Sequence, residues 1–324
     1  MARSGLPRRF APRNDGAADV VMPYQPRVAI LVPAADYGEH WHPALARKTA
    51  ALTAAGLAVE PRVWTDPGDL SGFGLILPLL AWGYPRASAR WYALLDRLEA
   101  EGLRVVNPVL VLRWNSDKAY LAELGAKGVA VVPTIEVTAL DDDALAAARA
   151  ALGAEELVVK PPVSAGSDGT HRLAADATVP PDARGQRRLI QPFMPGVLAE
   201  GEYSLFLFGG RYSHAIVKRP AAGDFRVQPQ FGGREEIWAA SAAARSLAES
   251  ALAAAPAATV YARVDMIGDG HGGLAIMELE LIEPQLFLNF APDGGAAFGA
   301  AVAGRCSPAN HERPVHQPLS RHSH

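Results

Sequence analysis

Two strand-like segments near the end of the chain carry the charged residues best placed for chemistry. The first contains Arg263 and Asp265, and the second contains Glu278 and Glu280. Side chains two residues apart on a strand lie on the same face, so pairing of the strands would bring three carboxylates and a guanidinium together. Clustered carboxylates need a cation, and Mg²⁺ takes oxygen ligands. We therefore predict that Asp265, Glu278 and Glu280 are magnesium ligands rather than charges scattered over an exposed sheet face.

A loop rich in small residues follows Lys160, the last residue of an apolar strand-like run. Residues 161–170 read Pro-Pro-Val-Ser-Ala-Gly-Ser-Asp-Gly-Thr. A lysine ammonium group beside the backbone amides of small residues can bind phosphate. This segment is not a Walker loop, because Lys160 precedes the glycines and no Gly-Lys-Ser/Thr occurs in the chain. The loop alone would fit a plain surface turn, but its neighbours favour a phosphate site.

The segment Gln191–Met194 closes another predicted strand and is suited to a purine ring. Its strand end could offer backbone hydrogen bonds, and Phe193 and Met194 could pack on the ring. The alternative is that both side chains belong to the core, which is the more common role of such residues. Glu202 stands at the entrance of the next strand and is a candidate to bind ribose hydroxyls, although a lone glutamate is usually a surface residue. Together these residues favour a nucleotide site.

Further charged and polar residues are candidates for the transferring group and the nucleophile. Lys218 and Arg226 are suited to neutralise a phosphoryl group, which phosphoryl transfer generally requires. Either could instead be a plain surface cation. In the first part of the chain, His40, His42 and Tyr84 are candidates to bind or deprotonate a nucleophile, with helix capping or surface exposure as the alternative.

Strands and helices alternate in the first third of the sequence. Short apolar runs predict strands, and alanine-rich segments of helical periodicity predict helices. The predicted strands are Arg27–Val32, Leu57–Val63, Leu75–Leu80 and Leu103–Val106, and the predicted helices are His42–Ala55 and Ser88–Ala100. This alternation predicts an open parallel α/β sheet. The loops 36–42 and 81–86 would then lie at the carboxyl ends of strands, where substrate is selected.

The rest of the chain is predicted to form two further groups of elements. The first consists of a helix from about Asp117 to Leu124, the strand Val131–Val137, the helix Asp141–Leu152 and the strand Glu156–Lys160. The second consists of the strands Leu189–Gln191, Glu202–Phe208, Arg211–Lys218, Val260–Ile267 and Leu274–Ile282, with a helix over Glu235–Ala255. Their close spacing and the Gly209-Gly210 turn predict antiparallel pairing.

Composition narrows the class of protein. The 324 residues carry 31 basic and 34 acidic side chains, a net charge of −3, so neither nucleic acid nor a membrane surface is an expected partner. We expect a small-molecule substrate. The single cysteine, Cys306, and the lack of a signal peptide or a long apolar run predict a cytoplasmic protein. Whether the chain forms a homo-oligomer is left open.

In this order, the motifs resemble those of the ATP-grasp superfamily, which includes D-alanine–D-alanine ligase, glutathione synthetase and biotin carboxylase. The resemblance covers about Lys118 to Pro284 and rests on Asn115–Lys118, Val159–Pro161, Ser164–Thr170, Gln191–Met194, Glu202 and the acidic strand pair. It implies ATP and Mg²⁺ as cofactors. The implied nucleotide contacts are Lys118, Lys160, Ser164, Gly166, Ser167, Gly169, Gln191, Phe193, Met194 and Glu202, and the implied catalytic residues are Arg263, Arg226 and Lys160.

The resemblance also implies how the chain is divided. The expected parts are a tail over 1–26, an N-terminal α/β domain over 27–112, a central lid domain over 113–190, a C-terminal antiparallel domain over 191–304 and a tail over 305–324. ATP would lie between the central and C-terminal domains. Two residues depart from the family pattern: Gln191 stands where many members have Glu, and Glu280 replaces the Asn of a Glu-x-Asn motif.

Within the superfamily the sequence is most similar to the O-ureido-serine cyclo-ligase group of D-cycloserine biosynthesis. The segments that carry this likeness are Tyr37–Trp41, Arg113–Lys118 and Glu280–Pro284. It implies activation of an amino-acid carboxylate as an acyl phosphate, followed by attack of a nitrogen of the same molecule. Two alternatives remain: an intermolecular carboxylate–amine ligase similar to glutathione synthetase, and a nucleotide-binding regulatory module without turnover.

Overall fold

The computed structural model describes residues 25–221, 226–227 and 232–306. Nearly all of the two predicted tails therefore lies outside the described residues. The described part is built from three sheets, one parallel and two antiparallel, with helices packed against them. This mixed α/β architecture agrees with the predicted fold class. No helix in the described ranges is both long enough and apolar enough to span a membrane.

The first sheet is parallel, with strand order β2-β1-β3. Its elements are β1 (Arg27–Val32), α1 (His42–Ala54), β2 (Ala58–Val63), β3 (Leu75–Leu77) and α2 (Ser88–Ala100). The predicted strand Leu75–Leu80 was too long, because Pro78 lacks the amide hydrogen that a strand needs. The predicted strand Leu103–Val106 was wrong, because only Val105 forms a bridge, to Ile76, before the chain turns at Pro108.

Two short helices follow, where one helix from Asp117 to Leu124 was predicted. They are α3 (Val109–Asn115) and α4 (Tyr120–Ala126). Both are fixed to the same later backbone group, because the Asn115 amide and the Tyr120 hydroxyl donate to the Leu279 carbonyl at 2.9 and 3.0 Å. The connection between the helices contains Lys118 and is held beside the acidic strands.

The second sheet has strand order β4-β7-β5-β6, and its pairs are antiparallel. Its elements are β4 (Ile135–Val137), α5 (Asp142–Leu152), β5 (Leu157–Lys160), β6 (His171–Leu173) and β7 (Arg188–Pro192). The predicted strand Val131–Val137 begins four residues late, because Val131 instead bridges to Ile276 of the third sheet and Pro133 interrupts the run. Asp141 caps α5 by accepting a hydrogen bond from the Ala144 amide.

The third sheet is antiparallel, with strand order β10-β9-β8-β11-β12. Its elements are α6 (Gly196–Ala199), β8 (Glu202–Phe208), β9 (Arg211–Arg219), β10 (Arg234–Ile237), α7 (Ala242–Ala253), β11 (Tyr261–Gly268), β12 (Leu274–Glu280) and α8 (Ala296–Ala303). The predicted helix Glu235–Ala255 was wrong in its first part. Residues Arg234–Ile237 pair with β9 as an edge strand, and the helix begins only after Ser241, whose hydroxyl accepts from the Ala244 amide.

One hydrophobic core joins the first and third sheets. Val28 and Ile30 of β1 pack in the same cluster as Phe206 and Phe208 of β8, with Phe298 of α8 between the layers. A second core lies under α7 and the opposite face of the third sheet, and a separate one lies under the second sheet. The shared core fixes the loops of the first sheet relative to the acidic strands.

Candidate active site

A cavity of about 880 Å³ contains nearly every residue that the sequence pointed to. It is lined by residues of the second and third sheets and by loops that follow the strands of the first sheet. The predicted site residues in its wall are Lys118, Lys160, Ser164, Gly166, Ser167, Gln191, Phe193, Met194, Glu202, Arg226, Arg263, Asp265, Glu278 and Glu280. Gly169 does not line it. That glycine has a φ of +66°, and a Cβ there would lie 2.9 Å from Pro161, so it shapes the loop behind the wall.

The acidic strands pair as the period-two spacing predicted. In the register of β11 and β12, Arg263 stands opposite Glu280 and Asp265 stands opposite Glu278. The Arg263 guanidinium lies 2.8 Å from the Asp265 carboxylate and also contacts Glu280. Asp265 is 2% exposed, and although burial opposes ionisation, Arg263 holds its pKa at about 2. Burial raises the pKa of Glu280 to about 8 against the attraction of Arg263.

The carboxylates of this cluster suit a hard cation only in combination with other ligands. In the described ranges, no three or more His, Cys, Asp and Glu side chains are grouped so as to hold a metal ion. The predicted ligands Asp265 and Glu278 are instead paired with Arg263 and Lys118. The donor set still fits Mg²⁺, because it offers only carboxylate oxygens and this ion usually keeps water and substrate phosphate as its remaining ligands.

Two buried lysines face the phosphate loop, which we define as residues 161–170. The Lys118 ammonium lies 2.8 Å from Glu278 and also contacts the Ser164 carbonyl, while the Lys118 amide donates to the Pro162 carbonyl at 2.8 Å. Lys160 is buried at the start of the loop, and burial lowers its pKa to about 8. Both lysines line the cavity together with residues of this loop, an arrangement that suits the binding of phosphate.

The predicted ribose residue forms an ion pair within the wall. Glu202 of β8 is paired in register with Lys218 of β9, and their charged groups are in contact. The Lys218 ammonium is also 3.6 Å from Asp265. Burial raises the pKa of Glu202, an effect that Lys218 opposes. Lys218 therefore balances the charge of two carboxylates in the cavity wall.

The end of the cavity predicted to bind a purine is apolar. Phe193 is 8% exposed and belongs to a small core cluster with Val132, Val197 and Ile267. It also lines the cavity, so the core and ligand-contact interpretations both apply to it. The Gln191 amide donates to the Thr134 hydroxyl at 2.9 Å and is thereby oriented.

Loops of the first sheet close the opposite end, as their position after the strands predicted. The rings of Tyr37, His40 and Trp82 lie against one another, with His40 and Trp82 stacked at 5.9 Å. Tyr84 also lines the cavity, whereas His42 does not. Arg86 forms a 3.2 Å ion pair with Asp168 and so connects this loop to the phosphate loop.

The sequence did not predict several residues at this end. Lys48 of α1 is 1% exposed, and its ammonium has no hydrogen-bond partner in the described residues. Burial lowers its pKa to about 7. The signal in the sequence for the burial of Lys48 was its position on the helix face that carries Leu45 and Leu52. Lys48 itself does not line the cavity, whereas Glu283 and Phe287 do, and only the assembled fold brings those two residues there.

A protein of known role is similar to most of the chain. The cycloserine biosynthesis protein DcsG of Streptomyces lavendulae is 33% identical over 280 residues, which cover 80% of this chain and 92% of that protein. The chain belongs to the DcsG family. In agreement, residues 28–107 match the family described as "D-cycloserine synthetase DcsG, N-terminal domain".

Solved structures extend the likeness to the whole fold. The crystal structure of D-cycloserine synthetase DcsG is matched with a TM-score of 0.76 at 30% identity, over 87% of this chain and 100% of that one. D-alanine–D-alanine ligase from Bacillus anthracis is matched with a TM-score of 0.63 at 19% identity, over 87% and 96%, which concerns the fold alone. The predictions of an ATP-grasp fold and of an ATP-dependent carbon–nitrogen ligase are confirmed for this DcsG relative.

Proposed function

We propose that this ligase cyclises O-ureido-D-serine to D-cycloserine at the expense of ATP. The observation that carries the proposal is the 33% identity to DcsG over 92% of that protein's length. It is supported by the cavity, in which cations, carboxylates and a glycine-rich loop line one wall. ATP at the apolar end would direct its phosphates toward Lys118, Lys160 and the phosphate loop.

The first step would be phosphoryl transfer to the substrate carboxylate. The γ-phosphate moves onto a carboxylate oxygen, ADP leaves, and an acyl phosphate results. Lys118, Lys160, Arg226 and Arg263 line the cavity and would offset the negative charge that accumulates during transfer. Arg263 is itself anchored by Asp265, which fixes the direction of its guanidinium.

A magnesium ion suits the proposed chemistry and this donor set. Asp265, Glu278 and Glu280 would hold it, and it would supply charge neutralisation between phosphate oxygens. Glu278 and Glu280 have side chains that are 25% and 24% exposed to the cavity, so ligand atoms can reach them. Lys118 contacts Glu278 and Arg263 contacts Glu280, and both cations would partly release these carboxylates to the ion.

The second step would be ring closure by a nitrogen of the same molecule. Its lone pair attacks the acyl carbon, the carbon–oxygen bond to phosphate breaks, phosphate leaves with the bonding electrons, and the nitrogen gives up its proton to solvent. D-cycloserine lacks the carbamoyl group of the substrate, so water must then cleave the bond between that nitrogen and the carbamoyl carbon. The hydroxyl of water goes to the carbamoyl carbon, which leaves as carbamic acid and decomposes to CO₂ and ammonia, and the proton of water goes to the ring nitrogen. Because nucleophile and electrophile belong to one molecule, the site need only hold a folded conformation, and proximity supplies much of the rate.

Release of phosphate from Mg-ATP tests the proposal. Purified protein is assayed with a panel of small amino acids that includes O-ureido-D-serine, for the wild type and for Glu278→Ala. We expect phosphate with O-ureido-D-serine alone, and a loss on the order of 100-fold in the variant, as for removal of one group from an electrostatic transition-state site. Phosphate that requires a second amine would indicate the intermolecular ligase. ATP binding without turnover for any acid would indicate the regulatory module.

Three earlier predictions belong to the same proposal. The domain bounds at 112/113 and 190/191 remain proposed, and β7 runs across the second of them. A cytoplasmic location and an amino-acid substrate remain proposed as well. The oligomeric state stays open.

A further inference from the structure

Glu283 differs from the other carboxylates that line the cavity. Those carboxylates are Asp168, Glu202, Asp265, Glu278, Glu280 and Glu283. The first five contact Arg86, Lys218, Arg263, Lys118 and Arg263, respectively. Within the part of the chain that the structure describes, the Glu283 carboxylate has neither a hydrogen bond nor an ion pair. A carboxylate in such a wall is costly unless a cation meets it, so a cationic ligand group is expected there.

The backbone holds Glu283 firmly in place. The Trp82 indole donates to the Glu283 carbonyl at 3.0 Å, and the Tyr261 hydroxyl donates to the preceding Ile282 carbonyl at 2.8 Å. The Asn115 side chain accepts from the Leu281 amide at 2.9 Å. A side chain on so fixed a segment is preorganised, as a recognition group must be.

The surroundings of Glu283 suit a small organic cation. Electrostatic interaction with Glu283 raises the pKa of Tyr37 and of Tyr84 after the larger effect of burial, so both phenols lie near its carboxylate. The rings of Tyr37 and Trp82 lie 6.4 Å apart at an angle of 50° and form an aromatic corner in the wall. A carboxylate beside aromatic faces attracts an ammonium group through both charge and cation–π contacts.

The cations near Glu283 do not neutralise its carboxylate by direct contact. Lys118, Arg263 and Lys48 act on it only through space, and Glu278 repels it. Lys118 and Arg263 are paired with other carboxylates, and the Lys48 ammonium makes no hydrogen bond in the described ranges. Burial raises the pKa of Glu283 to about 7 despite these cations, so its negative charge remains undercompensated.

We propose that Glu283, with the rings of Tyr37 and Trp82, binds the α-ammonium group of the amino-acid substrate. This proposal rests on the proposed function. In an α-amino acid the nitrogen lies about 2.5 Å from the carboxyl carbon, so its binding group must be close to the phosphoryl site. Glu283 lines the same cavity as Lys118 and Arg263, the cations proposed to face the transferring phosphate, and so can meet that requirement. Glu283 thereby orients the carboxylate toward the phosphate end of the cavity.

A pair of substrates separates this role from a structural one. O-ureido-D-serine is compared with 3-(carbamoylaminooxy)propanoate, which lacks only the ammonium group. For the wild type we expect kcat/KM to be on the order of 10- to 100-fold lower with the second compound, as for loss of a hydrogen-bonded charge. For Glu283→Gln we expect kcat/KM with O-ureido-D-serine to fall by about the same factor, mainly through a higher KM. With 3-(carbamoylaminooxy)propanoate, the kcat/KM of the variant should fall by less than about threefold.

Controls keep the test decisive. Glu283→Asp keeps the charge and should recover part of the loss, and Glu249→Gln, an exposed change on α7, should behave as wild type. KM for ATP and for Mg²⁺, together with the melting temperature, should stay unchanged in Glu283→Gln. Equal losses with both compounds, or a raised KM for Mg²⁺, would overturn the ammonium role alone. A wild type that releases no phosphate with O-ureido-D-serine overturns the proposed function and this proposal with it.

Discussion

The Lys118 ammonium lies 2.8 Å from the Glu278 carboxylate and also contacts the Ser164 carbonyl. One side chain therefore joins the connection between α3 and α4 to β12 and to the phosphate loop. Its own amide donates to the Pro162 carbonyl at 2.8 Å, so the connection is tied to the loop at two points. Binding of phosphate would draw on this ammonium group without a large movement of backbone.

Replacement of Lys118 by methionine tests that relationship. Lys118→Met should raise KM for ATP at least about tenfold and lower kcat, because a buried charge facing phosphate is lost. The matched control is Lys127→Met, since Lys127 is exposed and donates to the Ala254 carbonyl away from the cavity. Steady-state kinetics at varied ATP gives both constants. Equal kinetics for the two variants would contradict a phosphate role for Lys118.

The ion pair between Arg86 and Asp168 should contribute little to catalysis. Its side chains are 73% and 61% exposed, and exposed pairs contribute at most about 1 kcal/mol. We therefore expect Arg86→Gln to change kcat/KM by less than about fivefold, with a smaller effect at high salt. The measurement is kcat/KM at two ionic strengths. A loss well above tenfold that salt does not reduce would mean that Arg86 contacts the reacting groups.

Lys48 should make the stability of the protein depend on pH in a defined direction. Its folded pKa of about 7 lies below the unfolded value of 10.5, so between these values the unfolded state holds more protons. Wild-type stability should therefore gain from this group as the pH rises from about 7 to 10. Below pH 7 the buried charge is retained, and Lys48→Met should be more stable than wild type by about 1–3 kcal/mol.

Urea denaturation of both proteins at pH 6.5 and 9.5 measures this effect. The free energy of unfolding of Lys48→Met should exceed that of the wild type by about 2–4 kcal/mol less at pH 9.5 than at pH 6.5. Because the other titrating groups are common to both proteins, the comparison removes their contributions. Lys127→Met, at an exposed position, should show no such change. An advantage that is the same at both pH values would show that Lys48 keeps an ordinary pKa.

Gly201 should be intolerant of any side chain. Its φ is +95°, and a Cβ there would lie 2.5 Å from the Lys218 carbonyl oxygen. Gly102 has a φ of +62°, and none of the described residues comes within 4 Å of its Cβ position, so Gly102→Ala introduces backbone strain without a steric collision. Gly102→Ala should cost about 1–2 kcal/mol of unfolding free energy, and Gly201→Ala at least about 3 kcal/mol. Denaturant titration gives both values, and similar costs would contradict the collision.

What the sequence predicted well is what local geometry determines. Asp265 and Glu278 meet because strand alternation has a period of two and the turn 268–273 pairs their strands. That residues 161–170 form a loop directly after β5 was predictable for the same reason, since Lys160 and the small residues are contiguous. The ATP-grasp arrangement followed from the order of such local motifs.

What the sequence did not predict depends on contacts between distant segments. Arg234–Ile237 has an alanine-rich helix after it, yet pairing with β9 decides its conformation. Lys48 stood on an apolar helix face, but its isolation from hydrogen-bond partners arises from the packing of α1 against the segment 285–289. In the described residues Glu283 makes no ion pair, and two of the nearby cations, Lys118 and Arg263, contact other carboxylates, which is a property of the whole site.

Transfer of an isotope label tests the central claim, that the substrate carboxylate is activated as an acyl phosphate. O-ureido-D-serine labelled with ¹⁸O in its carboxylate is turned over with unlabelled ATP, and the released phosphate is analysed by mass spectrometry. Cleavage of the acyl carbon–oxygen bond leaves one carboxylate oxygen on phosphorus. We predict one ¹⁸O atom in each phosphate released and a cyclic product formed in equal amount. Unlabelled phosphate alongside that product would contradict the account.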